Sequence, residues 1–321
     1  MTRALGKDAD GPQPDRGRRT VDAPAVARTP TGRKLQLAAL VRHLREKRQL
    51  TQHEAGREVW PHASAGSVQN KIARLESADT GITPEDLDAL LRLYDTSDVH
   101  RRLASTLNSD LSQRGRWQGY RSIYSESYRR YVDLEEDAEL IRYVSNERIP
   151  ELLQCEAYVR AEFVHSTDGI EDLTVRASRA RQEGVLLRAD PPWFYAALSE
   201  SALRRVQGDE VVMRKQIEYL VALSERPNIT VQVVPFSSRS RPNVITHKGI
   251  LERFALLRLA SPGVIGELPR HLDYAFTKVG EELSWSDEVQ HYEDLWSRAS
   301  SAALSPHESR AFLREVARDF R

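Results

Sequence analysis

The sequence predicts two domains of different fold class, a small all-α domain followed by a mixed α/β (α+β) domain. The chain has 321 residues, which exceeds the usual length of one domain. Residues 33–112 carry only helical patterns, whereas segments that alternate apolar and polar residues first occur after residue 117. We therefore place the all-α domain at 33–112 and the α+β domain at 117–321.

Composition narrows the class of protein before any motif is considered. Apolar residues make up 40% and charged residues 29% of the chain, which suits packed domains and not a wholly disordered chain. No apolar run approaches the ~20 residues of a membrane helix, and residues 1–20 lack the apolar core of a secretory signal. The single cysteine, Cys155, excludes an intramolecular disulfide and a cysteine-based zinc cluster. We expect a cytoplasmic protein with no membrane partner.

Positive charge is concentrated in one short segment of a chain whose formal net charge is zero. Residues 33–76 hold nine basic and four acidic side chains. Such asymmetry favours a segment that faces nucleic acid, although a solvated helix face gives similar counts. Residues 1–32 are rich in Pro, Gly, Asp and Arg without apolar periodicity, which predicts a disordered tail.

Five short helices are predicted within the first domain. The first has an apolar stripe with helical spacing over residues 37–44, and the second opens at Thr51 with a capping box to Glu54. The third helix runs from about Ser67 to Ser77, and the fourth begins after Thr83 with proline at its first position. The fifth repeats apolar residues at every fourth position over 99–111.

The third helix has an apolar face (Val68, Ile72 and Leu75) and an opposite face of amide and guanidinium groups. Such groups read base edges, because an amide pairs with adenine and a guanidinium with guanine. A capped helix followed by this helix predicts a helix-turn-helix, whose second helix enters the major groove. The distribution of these residues around the helix is by itself equally compatible with a solvated surface helix. We predict base reading by Gln69, Asn70 and Arg74, and phosphate contacts by Gln52, Ser67 and Lys71.

The second domain mixes helical and strand patterns. Residues 124–141 show apolar spacings of three and four, which predict one long amphipathic helix, and helical patterns continue to about residue 182. Strand signals follow at 193–198, 229–234, 249–257 and 264–268. Helices return at 286–303 and again from the Ser305 cap to the C-terminus.

Several polar residues stand inside otherwise apolar motifs of this domain and need partners if they are buried. They either line a pocket or partner groove, or pair internally to fix the fold, and internal pairing is the more usual outcome. The histidines show no metal-ligand spacing, and no phosphate loop, dinucleotide fingerprint or nucleophile elbow occurs. We therefore predict no catalytic residue, metal or cofactor, and we rank an enzyme last. The candidate pocket residues are Glu135, Gln154, Arg181, Gln182, Glu200 and Glu267.

Over about residues 35–95 the chain resembles the phage-repressor-like (XRE, Cro/cI) helix-turn-helix family. The resemblance rests on Leu50-Thr51-Gln52 and on Lys71-Ile72-Ala73-Arg74-Leu75-Glu76. It implies DNA binding, with the base-reading positions of that family falling on Gln69, Asn70 and Arg74. Residues 60–66 form an insertion where the family has a short turn. Ala55-Gly56 replaces the preferred Leu-Ala and is expected to weaken the second helix.

Residues 117–321 resemble a C-terminal domain of uncharacterised function found in actinomycete regulators of this type. The shared motifs are Leu134-Glu135, Ile149–Gln154, Arg179–Gln182, Leu203–Arg205 and Val231–Phe236. The sequence departs from that family at Glu151, where glycine is preferred, and at Cys155, where threonine is common. The resemblance implies a regulator whose gene often neighbours one for a small partner protein, an arrangement compared with antitoxin–toxin pairs.

These observations predict a sequence-specific DNA-binding transcriptional regulator whose C-terminal domain dimerises, senses an effector or docks a partner. We expect a homodimer on an inverted repeat in double-stranded DNA. The alternative is an antitoxin-like protein whose main task is to bind a small partner protein, with DNA binding serving autoregulation.

Overall fold

A computed structural model describes most of the chain. The described residues are 26–109, 116–163, 170–236, 253–262, 271–277, 284–286 and 288–320. The predicted tail and the predicted boundary between the two domains fall mostly outside these ranges.

The first region consists of five helices, as the sequence predicts. They are α1 (Pro30–Lys47), α2 (Gln52–Val59), α3 (Ala65–Glu76), α4 (Pro84–Leu93) and α5 (Asp98–Ser109). Thr51 and Glu54 form the predicted capping box of α2, and Thr83 caps α4. Apolar side chains from all five helices meet in one buried core.

Two helices begin earlier than the sequence predicts. α1 begins at Pro30, so residues 30–32 are helical and not part of a tail. The reason is local, because the Thr29 hydroxyl accepts a hydrogen bond from the Gly32 N–H and proline occupies the first helical position. α3 begins at Ala65 instead of near Ser67, which limits the turn after α2 to residues 60–64.

Among its described residues, the second region combines a six-stranded sheet with helices, which confirms the α+β class. The strands are β1 (Ala138–Ser145), β2 (Trp193–Ser199), β3 (Ile229–Val234), β4 (Phe254–Ala260), β5 (His271–Thr277) and β6 (Ser284–Ser286). The helices are α6 (Glu126–Asp137), α7 (Glu156–Ala161), α8 (Ile170–Val185), α9 (Glu200–Arg204), α10 (Glu210–Ser224), α11 (Val289–Ala302) and α12 (Pro306–Asp319).

The sheet is mixed, with the strand order β3-β2-β1-β4-β5-β6. β1, β2 and β3 are parallel, and the other pairs are antiparallel. The two faces of the sheet bury two different cores. Tyr143 of β1 and Phe194 of β2 belong to the larger core, whereas Val144 and Phe254 belong to a smaller core beneath α11.

The predicted helix over 124–141 is wrong beyond Asp137, because the chain passes there directly from α6 into β1. The predicted strands at 193–198 and 229–234 are confirmed as β2 and β3. β4 begins at Phe254, and residues 249–252 of the third predicted strand lie outside the described residues, as does all of 264–268. β5 and β6 were not predicted.

The N-terminal end of α1 is attached to α6 by hydrogen bonds to two carboxylates. Asp137 accepts from the backbone N–H groups of Arg28 (2.6 Å) and Thr29 (3.2 Å), and also from the Thr29 hydroxyl. Asp133, one turn earlier on α6, accepts from the Thr31 hydroxyl at 2.6 Å. These bonds join the two regions of the chain at a defined point.

Packing around these bonds is close. A Cβ atom on Gly32 would lie 2.1 Å from Oδ2 of Asp137, so only glycine fits at this contact. Leu35 and Ala38 of α1 belong to the larger core of the second region. The Gln36 amide donates to the Ala260 carbonyl at the end of β4 (3.0 Å). α1 therefore contributes to the cores of both regions.

The contact between α1 and α6 should make stability depend on pH through Asp133. Burial raises the pKa of this carboxyl to about 6, with the nearby Asp137 adding to the effect and the Thr31 hydrogen bond opposing it. An unfolded aspartate titrates near pH ~3.9, so between about pH 4 and 6 only the folded state holds this proton. The free energy of unfolding should therefore fall as the pH rises through that window, by about 3 kcal/mol at most.

Urea unfolding of the wild type and of Asp133→Asn at several pH values between 4 and 7 measures this dependence. Asparagine keeps an acceptor for Thr31 and does not titrate, so the variant should show a smaller decrease in stability across the window. Asp88→Asn, at an exposed position of α4, should retain the wild-type dependence. Identical pH profiles for the wild type and Asp133→Asn would contradict the assignment.

Candidate nucleic-acid interface and C-terminal cavity

α2 and α3 form a compact pair whose closest approach is at Gly56. A Cβ atom on Gly56 would lie 2.8 Å from both the Cβ atom and the carbonyl oxygen of Val68. The neighbouring Ala55 is fully buried. The Ala55-Gly56 pair therefore allows α3 to pack directly against α2, which compensates for the lower helix propensity of glycine.

α3 exposes the polar face that the sequence predicts. Val68, Ile72 and Leu75 are buried in the contacts with the other helices. The other side of the helix is exposed, and it presents two amides, one ammonium and one guanidinium group. These groups belong to Gln69, Asn70, Lys71 and Arg74. Ser67, in the first turn of α3, is also exposed.

The turn between α2 and α3 contributes one contact to this face. The Nζ atom of Lys71 lies 4.7 Å from the centroid of the Trp60 ring, a cation–π distance. Trp60 belongs to the segment that departs from the phage-repressor-like pattern. The insertion therefore supports a side chain of the exposed face.

A buried network fixes the C-terminal end of α3. Arg45 of α1 binds the Glu76 carboxylate with two parallel bonds, Nε to Oε1 at 2.6 Å and a terminal nitrogen to Oε2 at 2.9 Å. The hydrogen bond from Arg45 to Glu76 raises the pKa of Arg45. Arg45 also donates to the Leu50 carbonyl at 2.7 Å, and the Gln52 amide donates to Glu76 at 2.9 Å. Three helices are thus joined through one carboxylate.

This network changes the interpretation of Gln52, because its side-chain amide already donates to Glu76. Sequence reasoning missed Arg45 altogether and used Glu76 only as part of a motif. The two residues are 31 positions apart, so their pairing leaves no local pattern. The sequence feature that could have indicated this pair is Arg45 itself, a basic residue on the apolar stripe of the first helix.

In the second region, Glu135 and Arg181 form a buried ion pair. The Arg181 guanidinium donates to Glu135 through Nε (2.6 Å) and a terminal nitrogen (2.8 Å), and through its other terminal nitrogen to the Tyr128 hydroxyl (2.8 Å). Both charged side chains are almost fully buried. For Glu135 the structure therefore shows internal pairing, the more usual of the two outcomes considered above.

Three of the other predicted pocket residues line one or both of two cavities, one lies elsewhere, and one is outside the described residues. Gln154 and Arg181 line a cavity of about 630 Å³ between α6, α7 and α8. Gln154 also lines a smaller cavity of about 170 Å³, together with Gln182. Glu200 instead binds Arg204 (2.6 Å) and the backbone N–H of Phe236 (2.9 Å), and it lines neither cavity. Glu267 lies outside the described residues.

The larger cavity is also lined by residues that are not among the six predicted pocket residues. Tyr124 and Tyr128 come from the α6 side, and three charged residues come from the segment between β1 and α8. The charged residues are Arg148, Glu151 and Glu162. The sequence feature that could have indicated this wall is the group of charged residues at 147–162, which lie in a stretch without regular periodicity.

Comparison with known proteins assigns both regions. Residues 128–315, more than half of the chain, match the family model described as a domain of unknown function, DUF5753. The chain belongs to the DUF5753 family. Residues 36–104 match the model of a helix-turn-helix domain. No curated protein matches the chain, and no solved structure does.

The helix-turn-helix match supports a DNA-binding regulator and favours this over an enzyme. Most of the wall of the larger cavity belongs to the DUF5753 domain. In the described part of the chain, no helix is long and apolar enough to cross a membrane. Nor does that part contain a group of three His, Cys, Asp or Glu side chains that could hold a metal ion.

The contact at Gly56 yields a test of the α2–α3 packing. Gly56→Ala should lower the free energy of unfolding by about 1–3 kcal/mol, because the added methyl group overpacks the contact with Val68. Gly66→Ala is the matched control on α3, where a Cβ atom has no neighbour within 4 Å. It should raise the free energy of unfolding by about 0.5–1 kcal/mol. Urea unfolding of both variants measures the difference, and equal stability of the two would argue against close packing at Gly56.

Proposed function

We propose that the protein is a sequence-specific transcriptional regulator that inserts α3 into the major groove of double-stranded DNA. The observation that carries this proposal is the exposed face of α3. Gln69, Asn70 and Arg74 project from a helix whose opposite side is buried and whose end is fixed by Glu76. Amide and guanidinium groups on a rigid helix match the donor and acceptor pattern of adenine and guanine edges.

The backbone of DNA would be held by other residues of the same surface. We assign phosphate contacts to Ser67 and Lys71, because both are exposed beside the base-reading residues. We assign Gln52 to positioning α3, since its amide donates to Glu76. The Gln52 amide has a second hydrogen, so the predicted phosphate contact of Gln52 is compatible with that bond.

The C-terminal domain completes the proposal as the region that dimerises and binds an effector or partner. A homodimer would place two recognition helices about 34 Å apart on an inverted repeat. The attachment of α1 to α6 offers a route by which this domain influences the orientation of α3. The antitoxin-like alternative, with a small partner protein encoded nearby, stays a prediction from the resemblance, as does the phage-repressor-like assignment.

Selection of bound sequences from random double-stranded DNA by the full-length protein, at two salt concentrations, tests this function. An enriched inverted repeat is the expected result. Binding without enrichment that is lost steeply with salt would mean phosphate contacts alone, and it would overturn the proposed sequence specificity.

Arg74→Ala should weaken binding to the selected sequence by about 1–3 kcal/mol and relax the preference at one base pair, because it removes a bidentate donor. Competition binding with single-base variants of the selected sequence measures both effects. Arg298→Ala, at an exposed position of α11 in the second region, controls for loss of a positive charge. An unchanged base preference in Arg74→Ala would refute a reading role for Arg74.

Lys71→Ala should weaken binding to all sequences alike, because a phosphate contact carries no base information. The slope of log K against log salt should become shallower by about one. Titrations of selected and scrambled DNA over a range of salt concentrations measure this slope. A loss restricted to the selected sequence would instead make Lys71 a base-reading residue.

A further inference from the structure

The larger cavity has the size and the lining of a site for a small molecule. Its volume is about 630 Å³, within the range of roughly 300–1,000 Å³ that is usual for ligand pockets. Tyrosine rings, amides and charged groups line it together. The question is which ligand chemistry this lining would select.

Most of the charged groups at the cavity are already paired. Arg181 is held by Glu135, which lies behind it in the core. Arg148 is bound to Glu162. Arg253 acts electrostatically on Glu162 and on Tyr143, but it does not line the cavity. Each arginine of the described lining is therefore neutralised by a carboxylate, although the Nε atom of Arg148 has no hydrogen-bond partner among the described residues.

Glu151 is the charged group of the lining with the weakest pairing. Among the described residues, its carboxylate accepts one long hydrogen bond, from the Tyr143 hydroxyl at 3.4 Å. Its charge acts on Arg148, which is also bound to Glu162. The lining holds two arginines and two glutamates. Because Glu135 neutralises Arg181 from outside the lining, Glu151 and Glu162 share the one remaining guanidinium, that of Arg148.

The wall on the α6 side suits a cation as well. The ring centroids of Tyr124 and Tyr128 lie 4.9 Å apart, and both rings line the cavity. The faces of such rings attract ammonium groups. The Arg181 guanidinium already lies over Tyr128, 5.4 Å from its ring centroid, so the Tyr124 ring is the one that a ligand cation would use. Because the Arg181 guanidinium can only donate, the Tyr128 oxygen is the acceptor in their bond, and the Tyr128 hydrogen stays available for another acceptor.

We propose that this cavity binds a small organic amine. The Glu151 carboxylate holds the ammonium group, and the ring of Tyr124 packs against it. The Tyr128 hydroxyl and the carbonyl oxygen of the Gln154 side chain bind hydroxyl or amide groups elsewhere on the ligand. The inference rests on the proposed function in one respect only, namely that such an amine would be the effector of the regulator.

Titration of the full-length protein with three compounds that share one ring tests this site. The probes are tyramine, tyrosol and 4-hydroxyphenylacetate, which carry a positive, a neutral and a negative group at the same place. A ligand of this size reaches a Kd of about 1 mM at ordinary ligand efficiency. We expect tyramine to bind at least about tenfold more tightly than tyrosol, because the charge-assisted bond to Glu151 is specific to the amine. Isothermal titration calorimetry measures the three Kd values.

Two variants locate the site. Glu151→Gln should weaken tyramine binding by about tenfold or more and leave tyrosol binding unchanged, which also reports that the cavity is intact. Tyr124→Leu should weaken tyramine binding several-fold while it retains the carboxylate. Glu225→Gln, at an exposed carboxylate that binds Arg314, is the matched control and should bind like the wild type.

Equal affinity for tyramine and tyrosol, tighter binding of 4-hydroxyphenylacetate, or no saturable binding of tyramine in the millimolar range would each overturn the proposal. So would unchanged tyramine binding in both variants. The titration contains no DNA, so its failure would leave the proposed DNA recognition intact. Conversely, failure of the DNA selection would leave the amine titration fully interpretable.

Discussion

Buried carboxylates need partners, and α6 carries such groups on two opposite sides. Glu135 faces the core of the second region and is neutralised by Arg181, which is bound to Tyr128 on the same side of α6. At 100° per residue, Asp137 lies about half a turn around the helix from Tyr128. Asp137 accepts three hydrogen bonds from residues at the N-terminal end of α1. Because the carboxylates on both sides of α6 have partners, the helix is fixed between the cavity and the first region.

The same requirement recurs at the other end of α1. Arg45, near its C-terminus, neutralises Glu76 at the end of α3, and the pair is largely removed from solvent. Removal of one partner from a buried pair typically costs about 3–5 kcal/mol, because the other charge is left uncompensated. α1 is therefore held by carboxylates at both ends, by two from α6 and by one from α3. The orientation of the proposed recognition helix depends on these two attachments.

The sequence was informative where the determining contacts are local. Thr51 with Glu54, and Thr83 with the following proline, set helix starts within four residues, and both were predicted correctly. The burial of Val68, Ile72 and Leu75 likewise followed from spacing alone. The polar face of α3 needed no knowledge of distant residues, because it is the complement of that apolar face.

The sequence was misleading where distant contacts decide. β1 contributes Tyr143 to the larger core and Val144 to the smaller one, so both of its faces are covered and it lacks the alternation that marks a half-buried strand. Its apolar residues continued the helical spacing of α6, and only pairing with residues more than 40 positions away converts them into a strand. The cavity lining was predicted only in part, because distant contacts also decide which residues line it. Gln154 and Arg181 were identified as buried polar residues, whereas Glu151 lines the cavity from a 3-10 helix of three residues, which is too short to show a periodicity.

The bonds between α1 and α6 also set the free-energy difference that the proposed effector would have to produce. A tenfold change in DNA affinity requires a difference of about 1.4 kcal/mol between the two states of the protein. A hydrogen bond to a charged group contributes about 1.5–3 kcal/mol, so one bond of the Asp133 and Asp137 contact is sufficient if it is present in one state and absent in the other. A ligand that touches Tyr128 acts on the same helix, on the side away from Asp137. In the proposed function, a displacement of α6 would couple the cavity to the first region through these bonds.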